Sequence, residues 1–205
     1  MRFGLQLHTD TVTDAVVAAT EAEEFGFDVV LVADHVGRDW SPLLTLAAVA
    51  AATSRIRVGT LVLNACLHHP VMLAREIATL DQISGGRVEL GLGAGHTPAE
   101  FAATGTPFAS AAARKAQLAE FVEVIRRLLD GETVDHDGEQ FVLRAASVRP
   151  PVQARVPILV GGSGAGLLGH AGRHADIVGL TGLGRTLPDG HRHAARFQPA
   201  TVDAD

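Results

Sequence analysis

The 205-residue chain has a single cysteine, Cys66, so no disulfide can form within it and a disulfide-stapled secreted fold is excluded. It also lacks a basic block: 17 Lys and Arg are scattered among 23 Asp and Glu, for a formal charge of -6. That balance leaves no electrostatic footprint for nucleic acid or an anionic membrane surface. No apolar run approaches the roughly 20 residues of a membrane span. No positively charged leader precedes residues 3–7, which already read as a strand. A soluble, cytoplasmic protein is expected. Familiar catalytic motifs are scarce too. There is no G-x-S-x-G nucleophile elbow, and nothing around Cys66 marks it as a nucleophile. Ten histidines raise the question of a metal, but His68 and His69 are adjacent and diverge. His170 and His174 flank Arg173 on a Gly-rich segment without an acidic partner, so no metal is expected.

What the chain does have is a rhythm. Hydrophobic residues make up 47%, enough for one substantial core, and they fall in short apolar runs alternating with helical patterns. Strands are expected over residues 2–7, 29–33, 56–63, 88–92, 157–160 and 176–180. Helices are expected over 14–25, 43–53, 70–83, 110–129 and 164–174. The start signals are Thr11 or Thr13, Ser41-Pro42, Pro70 and Ser110, and the stops are Gly26, Gly85-Gly86 and Gly131. Residues 133–143 break the rhythm and read as a β-hairpin insertion, with Asp137-Gly138 as a type I′ turn.

Near-continuous apolar strands separated by helices imply a parallel sheet covered on both faces. About six βα units suit either an open doubly wound sheet or an incomplete (β/α)8 TIM-type barrel. The domain is expected to occupy residues 1–180, with an irregular tail over 181–205.

In either architecture, ligands meet the carboxyl ends of the strands. The residues there are Gln6 and His8, Asp34 and His35, Asn64, residues 93–97, residues 161–164, and Thr181 with Gly182. Asp34-His35 ends the apolar run "VVLVADH", which a buried strand does not need; a helix-capping Asp beside a surface His is the plainer alternative. "GLGAGH" and "VGGSGAG" put glycines after strands, where backbone N–H groups can approach a phosphate. The first cluster lacks the third glycine of a dinucleotide fingerprint, and a tight βα turn explains either cluster without a ligand.

Three stretches together carry a resemblance: "ADH" after strand two, "VGTLVLNACLHHPVMLAREIATLDQISGGRVELGLGAG", and "ILVGGSGAGLLGHAGRHADIVGL". Over about residues 1–185 the chain resembles the bacterial-luciferase-like superfamily of TIM-barrel oxidoreductases, in its coenzyme F420-dependent branch. The resemblance implies hydride transfer between F420 and a small organic substrate. FMN-dependent monooxygenation, or a non-catalytic shortened flavin-binding relative, are the alternatives.

By position, His35 matches the histidine that the family sets beside the cofactor ring, and Asp34 a cofactor contact. Leu61-Val62 falls where the superfamily keeps a non-prolyl cis peptide that presses on the ring, with Asn64 beyond it. Gly161, Gly162, Ser163 and Gly164 match the loop for the phosphate-bearing tail, and Gly93, Ala94, Gly95, His96 and Thr181 complete the implied cofactor set. Trp40 lies one residue from a tryptophan that related sugar-phosphate dehydrogenases hold over the substrate. Those dehydrogenases carry a proton-donating glutamate after strand four, where this chain has His96. A full family member completes eight units; with six, strands one and six would be open edges, so self-association or a covering partner is expected.

Overall fold

A helix forms where a cap satisfies its first N–H groups, and this chain supplies such caps at regular intervals. In the computed structural model, which describes residues 1–162, 165–180, 183–186 and 193–195, Thr11 accepts from the Asp14 amide to open α1 (Val12–Glu24). Pro42 and Pro70 take the first turns of α2 (Pro42–Ala52) and α3 (Pro70–Ser84), where a missing N–H costs nothing. Gly85, at φ 66°, ends α3 in the left-handed conformation. Ser110 caps α5 (Ala111–Leu129) through the Ala113 amide.

The strands between these helices are β1 (Gly4–Leu7), β2 (Val29–Val32), β3 (Arg57–Thr60), β4 (Leu63–Asn64), β5 (Val88–Gly93), β8 (Ile158–Gly162) and β9 (Ile177–Leu180). They form one parallel sheet in the order β1-β2-β3-β5-β8-β9, with β4 beside β5. The helix α6 (Ala165–His174) connects β8 to β9. The sheet curls with its helices as an incomplete TIM-type barrel, and α1, α2, α3 and α5 pack in sequence against their neighbours. Val30, Val58, Leu90 and Ile158 from the sheet meet Leu46, Val49, Leu73, Ile77, Phe121 and Ile125 from the helices, all fully buried. Each such side chain contributes about 1.5–3 kcal/mol by leaving water.

The amino ends of the strands are closed by a dense polar network. Arg87 donates to the carbonyls of Ser84 (2.6 Å), Ile56 (2.7 Å), Ala50 (2.8 Å) and Thr53 (3.0 Å), which anchors the end of α2 to the start of β5. Asp81 accepts from the amides of Val152 (2.7 Å) and Gln153 (2.9 Å) and from the Gln153 side chain (2.7 Å). Glu89 accepts from Arg57 at 2.6 Å and from Arg2. Glu23 receives the amides of Arg55 (2.6 Å), Ile56 (2.7 Å) and Ser54 (3.1 Å). Partial burial opposes its ionisation, but the three amides outweigh that and hold the carboxyl down at about 2.

Four expectations need correction. The third strand is not continuous over 56–63; it breaks at Leu61–Val62, where the peptide bond is cis, and resumes as β4. The hairpin of β6 (Val134–Asp137) and β7 (Val142–Ala146) runs beyond 143, and its connection is four residues long with the Gly138 amide donating to Phe141 (3.0 Å). Gly138 is not in the left-handed region, so the turn is not type I′; Glu120 organises the loop by accepting from Gln140 and Phe141 instead. A further helix, α4 (Pro98–Ala103), follows β5. Within 181–205, expected to be irregular, β10 (Leu183–Thr186) and β11 (His193–Ala195) pair antiparallel. Among the described strands β1 and β9 lie at the two ends of the pairing order, as the edge argument requires.

Candidate active site at the strand carboxyl ends

Parallel pairing places every strand end on the same side of the sheet, and the expected residues gather there. Asp34 and His35 follow β2, Asn64 closes β4 level with Gly93 of β5, and Gly161 and Gly162 end β8. Ser163, Gly164 and Thr181 lie outside the described residues. Asp34 joins two of these strands: its Oδ2 accepts the Asn64 amide at 3.1 Å and lies 3.3 Å from His68 Nε2. It is therefore a connector between loops, not the helix cap of the plainer reading.

Asn64 is buried. Its Oδ1 accepts the Cys66 amide at 3.2 Å, which starts a single 3₁₀ turn (Ala65–Leu67), while its Nδ2 has no partner among the described residues. Gly95, at φ 67°, passes so close that a Cβ there would collide with the Asn64 amide group. Arg114 holds this stretch from α5, donating to the Gly95 carbonyl at 3.2 Å and to the Ala109 carbonyl, with its guanidinium 4.0 Å from the Phe108 ring centroid. Burial is the main force lowering the Arg114 pKa, and it raises that of the neighbouring Cys66 thiol.

The glycine clusters have a use the sequence did not disclose. A Cβ at Gly93 would stand 2.7 Å from one Val62 methyl, one at Gly161 3.0 Å from the other, and one at Gly91 3.2 Å from Val62 while colliding with the Thr60 carbonyl. The glycines therefore receive the Val62 side chain between β5 and β8. Thr60 secures the same region, its hydroxyl accepting from Gly91 N–H and donating to Gly91 C=O, both at 2.8 Å.

His35 was expected to carry the chemistry, and its surroundings add a residue that was missed. Its Nδ1 lies 2.8 Å from Oε1 of Glu100, whose side chain is 5% exposed against 32% for His35. The His96 ring stands 6.0 Å from the His35 ring, nearly perpendicular to it. Position after the fourth long strand pointed to His96 in place of a glutamate; a carboxylate is nonetheless supplied, four residues further on. A sequence signal for it exists: Thr97-Pro98-Ala99-Glu100 combines a helix-starting Thr-Pro with the T-x-x-E spacing of a capping box. The Thr97 side chain makes no cap bond, and Glu100 turns to His35.

Trp40 is exposed, and its indole N–H donates to the Asp10 carbonyl (3.0 Å), tying the loops after β2 and β1 together. A cavity of about 860 Å³ lies elsewhere, between α3 and residues 147–150, and shares none of these side chains. Among the described residues no group of three His, Cys, Asp or Glu is placed to hold a metal, and no helix is long and apolar enough to cross a membrane.

A curled parallel β/α sheet with polar groups converging at its carboxyl ends defines the class: an incomplete (β/α) barrel of TIM type. The chain belongs to the luciferase-like monooxygenase family, whose model matches residues 1–201. It is 38% identical over 178 residues to an F420-dependent glucose-6-phosphate dehydrogenase of Kineococcus radiotolerans, covering 82% of this chain and 52% of that protein. Its fold matches the coenzyme F420-dependent tetrahydromethanopterin reductase of Methanopyrus kandleri with a TM-score of 0.80 at 30% identity, over 89% of this chain and 56% of that one. The monooxygenase RslO1 of Streptomyces bottropensis matches with a TM-score of 0.72 at 30% identity, over 80% and 54%. The chain spans about half the length of the curated dehydrogenases it matches.

Proposed function

We propose that the strand-end rim holds a deazaflavin of the F420 type and that the chain serves hydride exchange between it and a small organic substrate. One observation carries the reading: the partly exposed His35 imidazole, tied to a buried carboxylate, shares a rim with the buried Nδ2 of Asn64, which has no partner among the described residues. A buried polar group without a partner costs about 1–3 kcal/mol, a cost that a ligand acceptor would relieve. The relatives named as F420-dependent favour F420 over other ring systems.

The residues fit such a group. Asp34, Asn64, Gly93, Ala94, Gly95 and His96 would border the ring, Leu61 and Val62 would back it, and Gly161 through Gly164 with Thr181 would hold the tail. The bound group supplies a two-electron hydride acceptor or donor. The chain supplies the rest. His35 takes or returns the proton that the substrate releases or gains, and Trp40 flanks the substrate.

The family description and the RslO1 match favour the second reading, flavin-dependent monooxygenation with FMN. A third is ligand binding without turnover. Titrating the purified chain with F420 and with FMN, followed by fluorescence, separates them. Micromolar F420 binding with FMN at least tenfold weaker is expected; the reverse order moves the site to FMN, and tight F420 binding without turnover on any alcohol or carbonyl substrate leaves a binding protein. Association of the chain belongs to the same reading, because β9 leaves Val178 and Leu180 exposed at the sheet's end. Sedimentation velocity should show self-association, and a well-behaved monomer removes that part.

A further inference from the structure

Three features single out Glu100. It is buried, it stands on a short helix held on both sides, and its carboxylate is directed at one nitrogen of His35. Phe101, the next residue, is fully buried and stacks edge-on against Phe108 at 5.0 Å, while Arg114 grips Gly95 and Ala109 on either side of α4. The carboxylate therefore has little freedom. An ionised carboxylate only accepts hydrogen bonds, so its partner nitrogen must carry the proton. A neutral imidazole has one N–H, and placing it on Nδ1 leaves Nε2 as a lone pair on the other edge of the ring.

We propose that Glu100 is the positioning residue of this site: its carboxylate holds His35 in the Nδ1–H tautomer, leaving Nε2 to accept the substrate proton. The proposal rests on the oxidoreductase reading above. In an oxidation the bound deazaflavin would supply the two-electron acceptor for the hydride released as the substrate C–H bond breaks, and the substrate O–H proton would pass to Nε2. The carbonyl would form as the imidazolium comes to stand against the Glu100 carboxylate. Without Glu100 the free ring would favour its other tautomer, with the proton on Nε2 where the acceptor is needed.

The test begins without cofactor. In the ¹⁵N-labelled chain with the His35 ring neutral, its nitrogens should show protonated Nδ1 and unprotonated Nε2. Glu100→Ala should shift the ring toward Nε2–H with the amide spectrum otherwise kept. A wild-type ring already protonated on Nε2 overturns the proposal even if the variant fails to fold, and so does a folded variant with an unchanged tautomer. With F420 bound, Glu100→Ala should lower kcat about 100-fold while KM and the cofactor Kd change less than about threefold. Equal losses in kcat and affinity overturn the positioning role. Failure of the wild-type chain to bind F420, with the tautomer as stated, would refute the oxidoreductase reading and leave the Glu100–His35 geometry standing.

Discussion

The two ends of the sheet are built on opposite rules. At the amino ends the large polar side chains are tied into the strands: Arg87 reaches four carbonyls, Asp81 collects donors from residues 152 and 153, and Glu23 closes on three amides. At the carboxyl ends, the buried Asn64 amide nitrogen has no partner among the described residues and the His35 side chain is 32% exposed. Partnered groups hold strands in register; unpartnered ones are an expense that the fold bears only where something else is to be met.

The contrast can be broken from either end. The largest effect is expected from His35→Ala, which should lower turnover about 100- to 10,000-fold while leaving the melting temperature and cofactor affinity nearly unchanged. Steady-state kinetics beside a fluorescence titration measure both, and a matching loss of affinity would make His35 a binding residue. Arg87→Ala should do the reverse, costing about 3–4 kcal/mol of stability by orphaning buried carbonyls without altering ligand contacts. Denaturant unfolding reads it, and a loss below about 1 kcal/mol would mean that the amino-end network is ornamental.

Gly95→Ala falls between the two ends. Its left-handed backbone and the collision with Asn64 should cost about 2–3 kcal/mol and weaken cofactor binding by moving the Asn64 amide. A variant with normal stability and affinity would show that the approach of Gly95 to Asn64 is not functional. The smallest effect sharpens the comparison through pH. Glu23 has its folded carboxyl lowered to about 2, so its contribution is present at neutral pH and is lost as the pH falls from near 4.5 toward 2. Glu23→Gln should cost about 1 kcal/mol at pH 7, discounted for partial exposure. The wild-type and variant stability curves should converge near pH 2, and a constant gap would assign the effect to packing.

The fold was largely legible because its signals are local. Apolar runs such as residues 29–32, Thr11 and Ser110 as caps, and Gly85 as a stop all act within one turn of the residues they organise. The rim was legible for a related reason, since a residue that follows a strand in a parallel sheet has only one end to occupy. What escaped depends on distance along the chain. The partner of His35 lies 65 residues away on a six-residue helix, too short for periodicity to announce. The hairpin turn escaped because Glu120, on α5, governs it rather than the Asp-Gly dipeptide. A packing reason for Gly91, Gly93 and Gly161 escaped as well: a Cβ at each would meet the Val62 side chain, which comes from another strand.

That occupancy has a consequence for how the site can change. Val62 and the three glycines beside it amount to one decision written in four places, because the Val62 side chain stands where a Cβ on each of the others would meet it. No single position among them can drift without the rest. Enlarging the wedge splays β5 from β8, shrinking it leaves a hole in the floor of the rim, a methyl added to Gly93 or Gly161 pushes the wedge out, and one added to Gly91 strikes the Thr60 carbonyl. The floor of the rim therefore changes as a block, just as His35 and Glu100 above it form a pair of their own.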